Sequence, residues 1–321
     1  MAPVLVNHRR SPFSPSRSFF LHAGTPGETR GWCSVGAVNP AYLLAAAGSL
    51  LYGSADFCGG LASRRSHALA VTFLAGFSAL LILFAGMPLS PGLTRASDLV
   101  WGIAGGAFGA IGAMLAYRAL AIGPVSVASP IFSITGLALP VLVGMLLGER
   151  PAWIAIGGLA LAPLAIVLLA QGAHRHEPSP ERSKHIRGAV VRSLIAGAVL
   201  GFFLVFLGRI EGGASLWPLV VARITGIVCL GAVLVARRQT LMPARGDQAM
   251  SLVTGVLDSL ANLAYVAAVP RGSLSLVAAL VSLAPATSVL LARLVLSERW
   301  SALQAMGLVL ALAAGVCISF G

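Results

Sequence analysis

Apolar stretches of about 20 residues, parted by short polar turns, fill the chain from residue 41 onward, and that is the length a helix needs to cross a ~30 Å hydrocarbon core. The runs fall near 41–62, 68–88, 99–120, 124–147, 152–171, 188–208, 214–236, 249–268, 273–296 and 301–320. They predict an all-α integral membrane protein of about ten transmembrane helices. Residues 1–40 hold Pro, Ser, Gly and the arginines Arg9, Arg10, Arg17 and Arg30 without apolar periodicity, so a disordered tail is expected there. The polar stretch 172–187 reads as a linker between two halves, 41–171 and 188–321.

The halves are copies. Residues 123–171 reappear without a gap as 272–320: Gly148, Glu149 and Arg150 return as Ser297, Glu298 and Arg299, an offset of 149 positions (298 less 149). Each copy holds five spans, an odd number, so the second must enter the membrane with the opposite orientation. Two inverted five-helix repeats are an architecture for moving a solute.

Composition agrees with that reading. Hydrophobic residues make up 57% of the chain, charged residues 10%, and mean hydropathy is +0.90, far from the balance of a soluble domain. The net charge of +12 does not imply nucleic acid as a partner, because the basic residues lie in loops between spans, where they set topology. Cys33, Cys58, Cys229 and Cys317 show no paired spacing, and the six histidines fall in the tail or in polar stretches, so neither a metal site nor a cofactor is implied. His174, His176 and His185 are read as solvated loop residues. Trp101, Trp153, Trp217 and Trp300 fall near span ends, at headgroup level. Gly102, Gly105, Gly106, Gly109 and Gly112 mark the third span as a close-packing seam.

Charges inside spans carry the functional signal, since an ionised group at the bilayer centre costs at least ~2.5–3.5 kcal/mol. Asp56, Arg223, Asp258 and Arg293 qualify. Ser251, Asp258, Asn262 and Tyr265 share one helix face, as do Ser49, Tyr52, Asp56 and Gly60. Neither acid is duplicated: the offset takes Asp56 to Val205 and Asp258 to Gly109, which favours an asymmetric binding site over a scaffold role. Arg223 has two readings, a structural ion pair with one of the acids or a receptor for an anionic solute group. Arg293, close to its span end, snorkels to the headgroups. Gly136 and Pro285 occupy equivalent repeat positions and are expected to act as hinges in the fourth and ninth spans. Glu149 and Glu298 are expected to complement the N-terminus of the last helix of each repeat.

Leu51 to Arg65 (LYGSADFCGGLASRR), Leu257 to Gly272 (LDSLANLAYVAAVPRG) and Ala292 to Gly307 (ARLVLSERWSALQAMG) resemble EamA-type members of the drug/metabolite transporter superfamily. The resemblance runs over nearly everything after residue 40. It implies ten helices in two inverted repeats, a central cavity near the bilayer midplane, and export or exchange of small metabolites across the cell membrane, plasma or inner.

With Asp56 or Asp258 lining that cavity, a carboxylate holds a proton in one conformation and releases it in another, which makes proton-coupled antiport the expected mechanism and protons, a small solute and lipids the expected partners. An uncoupled facilitator and a lipid or lipid-linked-sugar flippase are the alternatives. An enzyme is not expected: neither His-Glu-x-x-His nor Gly-x-Ser-x-Gly occurs. Orientation is contested. The odd-numbered loops hold Arg64, Arg65, Arg118, Arg175, Arg182, Lys184, Arg187, Arg237, Arg238, Arg245 and Arg299, the even-numbered ones Arg95, Arg150, Arg209 and Arg271. That distribution places both termini outside, whereas the tail arginines and the resemblance place them in the cytoplasm.

Overall fold

Residue 40 opens the first of eleven α-helices in the computed structural model, which describes residues 39–89, 92, 94–148, 150–174, 180–210 and 215–320; no strand occurs among them. The tail assigned to 1–40 therefore lies almost wholly outside the described residues, as do 175–179 of the linker and Glu149. The helices are α1 (Pro40–Ala62), α2 (Ala68–Gly86), α3 (Ala96–Ile122), α4 (Val125–Leu146), α5 (Trp153–His174), α6 (Pro180–Leu207), α7 (Trp217–Ala236), α8 (Arg245–Ala268), α9 (Leu274–Val281), α10 (Ala284–Leu296) and α11 (Ala302–Ile318).

Eight segments are long and apolar enough to cross a membrane, with Leu276–Leu296 counted as one across the break between α9 and α10. α11 is an apolar helix of 17 residues, and α1, at 23 residues, is diluted by Ser49, Tyr52, Ser54 and Asp56. With these two, ten runs of sequence become ten spans, the ninth in two pieces.

Helices also reach beyond the apolar runs. α5 continues to His174 and α6 begins at Pro180, so much of the stretch read as linker is helical, and His174 and His185 stand on helix ends. Glu181, Arg182 and Lys184 favour helix, and Pro180 suits a first turn. At 28 residues, α6 is ~42 Å long and outreaches the hydrocarbon core.

The duplication is visible in the packing. α1 lies against α8 and the α9–α10 pair, and its counterpart α6 lies against α3 and α4, so each repeat inserts its first helix between the third and fourth helices of the other. Equivalent residues do equivalent work. Ser66, in the turn before α2, donates its hydroxyl to Asp247 in the first turn of α8 at 2.7 Å. Its counterpart Ser215, before α7, pairs at 2.5 Å with Thr94 at the start of α3, where Asp98, the counterpart of Asp247, accepts from Arg95 N at 3.1 Å. Gly148 and Ser297, also equivalent, both adopt the left-handed conformation, at φ 90° and 53°, to end α4 and α10.

Candidate functional site

Two seams fix the rotation of the helices that carry the central charges. On α3, the glycine stripe admits α7 so closely that a Cβ on Gly106 would sit 2.2 Å from the carbonyl oxygen of Ala222. On α2, Ser78 Oγ donates to Leu252 O at 2.8 Å and Ser259 Oγ donates to Ala79 O at 3.0 Å, with Gly255 against Ala75. Holding Leu252, Gly255 and Ser259 to α2 leaves Asp258, Asn262 and Tyr265 on another face of α8. There Arg223 Nη2 donates to Asp258 Oδ2 as an ion pair. Asn262 Nδ2 donates to Asp258 O at 2.7 Å and reaches Oδ2 at 3.4 Å. The two charged side chains keep 30% and 24% of their surface exposed. Ser251, on the same sequence stripe, is buried and bonds back to Asp247 O within its own helix; it stands apart from the charges.

α1 supplies the second acid. Tyr52 lies within electrostatic reach of Asp258, Arg223, Tyr265 and Asp56, and Asp56 within reach of Asp258. Asp56 makes no hydrogen bond or ion pair among the described residues. Tyr117, which the sequence reading did not single out, joins the group: it lies on α3 within reach of Asp258, Asp56 and Arg223, its ring set against Gly59, where a Cβ would approach it to 2.6 Å. A signal was present, since the whole chain holds only four tyrosines and three of them meet here. Arg293 lies outside the group, its guanidinium 4.6 Å from the centre of the Trp300 ring near the end of α10.

The EamA-like transporter family model matches residues 39–171 and 180–320, one match for each repeat. The chain belongs to the EamA-like transporter family. It is thus a multi-pass membrane protein and a membrane transporter of small solutes. A solved crystal structure aligns with it at a TM-score of 0.58, over 88% of this chain and 96% of its own, at 18% identity, a likeness of fold alone. No curated protein matches the chain in sequence.

Within this EamA-like transporter the central residues are the ones the repeat does not duplicate. The offset takes Arg223 to Leu74, Asp258 to Gly109, Asn262 to Ala113, Asp56 to Val205 and Tyr117 to Val266. Tyr52 is the sharpest case. Its counterpart Gly201 lets α6 close on α4, where a Cβ would meet the Leu139 side chain at 2.5 Å; a tyrosine at that place in α1 puts a ring and a hydroxyl where the other repeat has no side chain.

The hinge candidates sit differently. α4 runs unbroken through Gly136, whereas the helical run ends at Val281 and restarts at Ala284, so that Pro285 lies in the first turn of α10. Pro285 cannot donate to Val281 O and its ring would clash with that carbonyl, which accounts for a break at Ser282 and Leu283. A small cavity lies beside it, lined by Pro130, Ser133, Ser282 and Pro285 among others; Ser133 and Ser282 are repeat equivalents. No group of three metal-ligating side chains occurs among the described residues.

Proposed function

We propose that this transporter exports a small metabolite in exchange for protons, alternating access around the group formed by Arg223, Asp258, Asn262, Asp56, Tyr52 and Tyr265. The observation that carries the reading is the charge balance of that group: one guanidinium, already paired, and two carboxylates, one of them without a partner. Exchange requires that proton and solute compete for one site. Asp56 meets the requirement, because a carboxylate with no ion pair accepts either a proton or a donor group of the solute, and the neighbouring tyrosines offer hydroxyls and ring faces to the rest of the molecule. Protonation of Asp258 would loosen its bond to Arg223 and leave a guanidinium in need of an anion, which ties the solute's charge to the protonation state. Gly136 and Pro285 are the proposed hinges, and the break before Pro285 supports the second.

The test is untargeted analysis of the medium around cells producing the wild type or Asp258→Asn at equal membrane abundance, with and without a protonophore. A small metabolite that accumulates outside only with the wild type, and no longer once the proton gradient is collapsed, is the expected result. Identical media would defeat export through Asp258. Accumulation that survives the protonophore would defeat the coupling and leave a facilitator.

A further inference from the structure

α4 has no cap of its own: Pro124 precedes it and offers no side-chain hydrogen bond. The first amides of that helix are bonded from the other repeat. Val125 N donates to Glu298 Oε1 at 3.1 Å and Ser126 N to Glu298 Oε2 at 3.2 Å. Arg64, two residues past the end of α1, places Nη2 3.6 Å from Oε1. Glu298 was expected to serve α11, yet that helix is closed by its own Ser301 and Gln304, which leaves the carboxylate for α4. The left-handed turn at Ser297 redirects the chain so that Glu298 reaches it.

One side chain thus joins three elements, the turn after α1, the start of α4 and the loop after α10, all on the arginine-rich face. Phe57, Tyr117, Leu120, Val125 and Ala292, from α1, α3, α4 and α10, form one buried cluster that includes the latch position Val125 and the site residue Tyr117. Alternating access that opens the Arg223–Asp258 group toward this face would draw α4 away from the loop that holds it. On the opposite face the sequence repeats the carboxylate as Glu149 but not the cation, because Arg64 and Arg65 become Gly213 and Ala214.

We infer that Glu298 is an ionic latch that keeps the arginine-rich face shut, with Arg64 as its second contact, and that this face needs a stronger release than the other. The inference rests on alternating access as proposed above. Cys58, on α1 and within electrostatic reach of Tyr117, is a native reporter for it. In protein purified into lipid nanodiscs, with Cys33→Ser, Cys229→Ser and Cys317→Ser, the rate of Cys58 modification by a hydrophilic maleimide reads how often this face opens.

Glu298→Gln is expected to raise that rate about fivefold, the population change that loss of one charged helix cap produces. Arg64→Gln should raise it less, because the pair is looser and more exposed. Glu149→Gln should not raise it. An unchanged rate in Glu298→Gln overturns the latch. Should that variant fail to fold, Arg64→Glu takes its place, with faster labelling expected and an unchanged rate decisive against the latch. Solute flux separates the two proposals: faster labelling with no flux in the wild type keeps the latch and defeats export, and unchanged labelling with normal flux does the reverse.

Discussion

Arg223 and Asp258 bring ionisable side chains into membrane-spanning helices, where their ion pair makes each tolerable. Removing one partner strands the other in a poorly solvated place, which costs 3–5 kcal/mol for fully buried pairs; at 30% and 24% exposure the expected cost is nearer ~1–3 kcal/mol. Asp258→Leu and Arg223→Leu should therefore each lower the apparent melting temperature in detergent, while the double variant recovers most of the loss. All three should lack export. Recovery of stability without recovery of export would assign the pair to function; additive losses of stability would show that the two charges do not depend on each other. Sequence alone named both residues, because intramembrane charge is conspicuous. It did not name Tyr117, because a tyrosine in an apolar helix looks like packing until Gly59 and Asp56 are set beside it.

A proline matters for the helix it follows as much as for the one it starts. Pro285→Ala restores the missing donor to Val281 and removes the ring clash, effects of ~3 kcal/mol in a helix interior, so α9 and α10 should join and stiffen. Export should slow while thermal stability holds or rises, as flux and melting measurements on the same preparation would show; unchanged flux would remove the break from the mechanism. Gly136→Ala is the comparison within α4, where a new Cβ meets Gly197 O at 3.4 Å and folding should tolerate it. The spans themselves were legible because hydropathy reports where lipid lies. Helix ends were not: Asp98 and Asp247 sit in first turns that extend α3 and α8 past their apolar runs, and the helical parts of 172–187 continue where lipid has ended. The break in the ninth span was legible only as Pro285, since the two residues that actually leave the helix, Ser282 and Leu283, carry no breaker of their own.

Duplication and charge act on the molecule as a whole, and they divide it in different ways. The offset of 149 positions reproduces the scaffold: Ser66 with Ser215, Asp98 with Asp247 and Gly148 with Ser297 keep equivalent places at helix ends. The basic residues break that equivalence, with Arg64, Arg65, Arg237, Arg238, Arg245 and Arg299 on one face and Arg95, Arg150, Arg209 and Arg271 on the other. Two oppositely oriented copies of one fold have no intrinsic preference for either direction of insertion, so the loop charges must supply it. The tail arginines Arg9, Arg10, Arg17 and Arg30 oppose them, since α1 starts from the face with fewer basic loops. A chain lacking residues 1–38 is therefore expected to place the α7–α8 loop in the cytoplasm. In intact cells, single cysteines at Thr240→Cys and Ala152→Cys, both at exposed positions on opposite faces, should respond unequally to an impermeant thiol reagent: protected at 240, labelled at 152. Full-length chain labelled in the reverse sense would show that the tail overrides the loops, and reversal in both chains would mean that insertion direction is set by something other than loop charge.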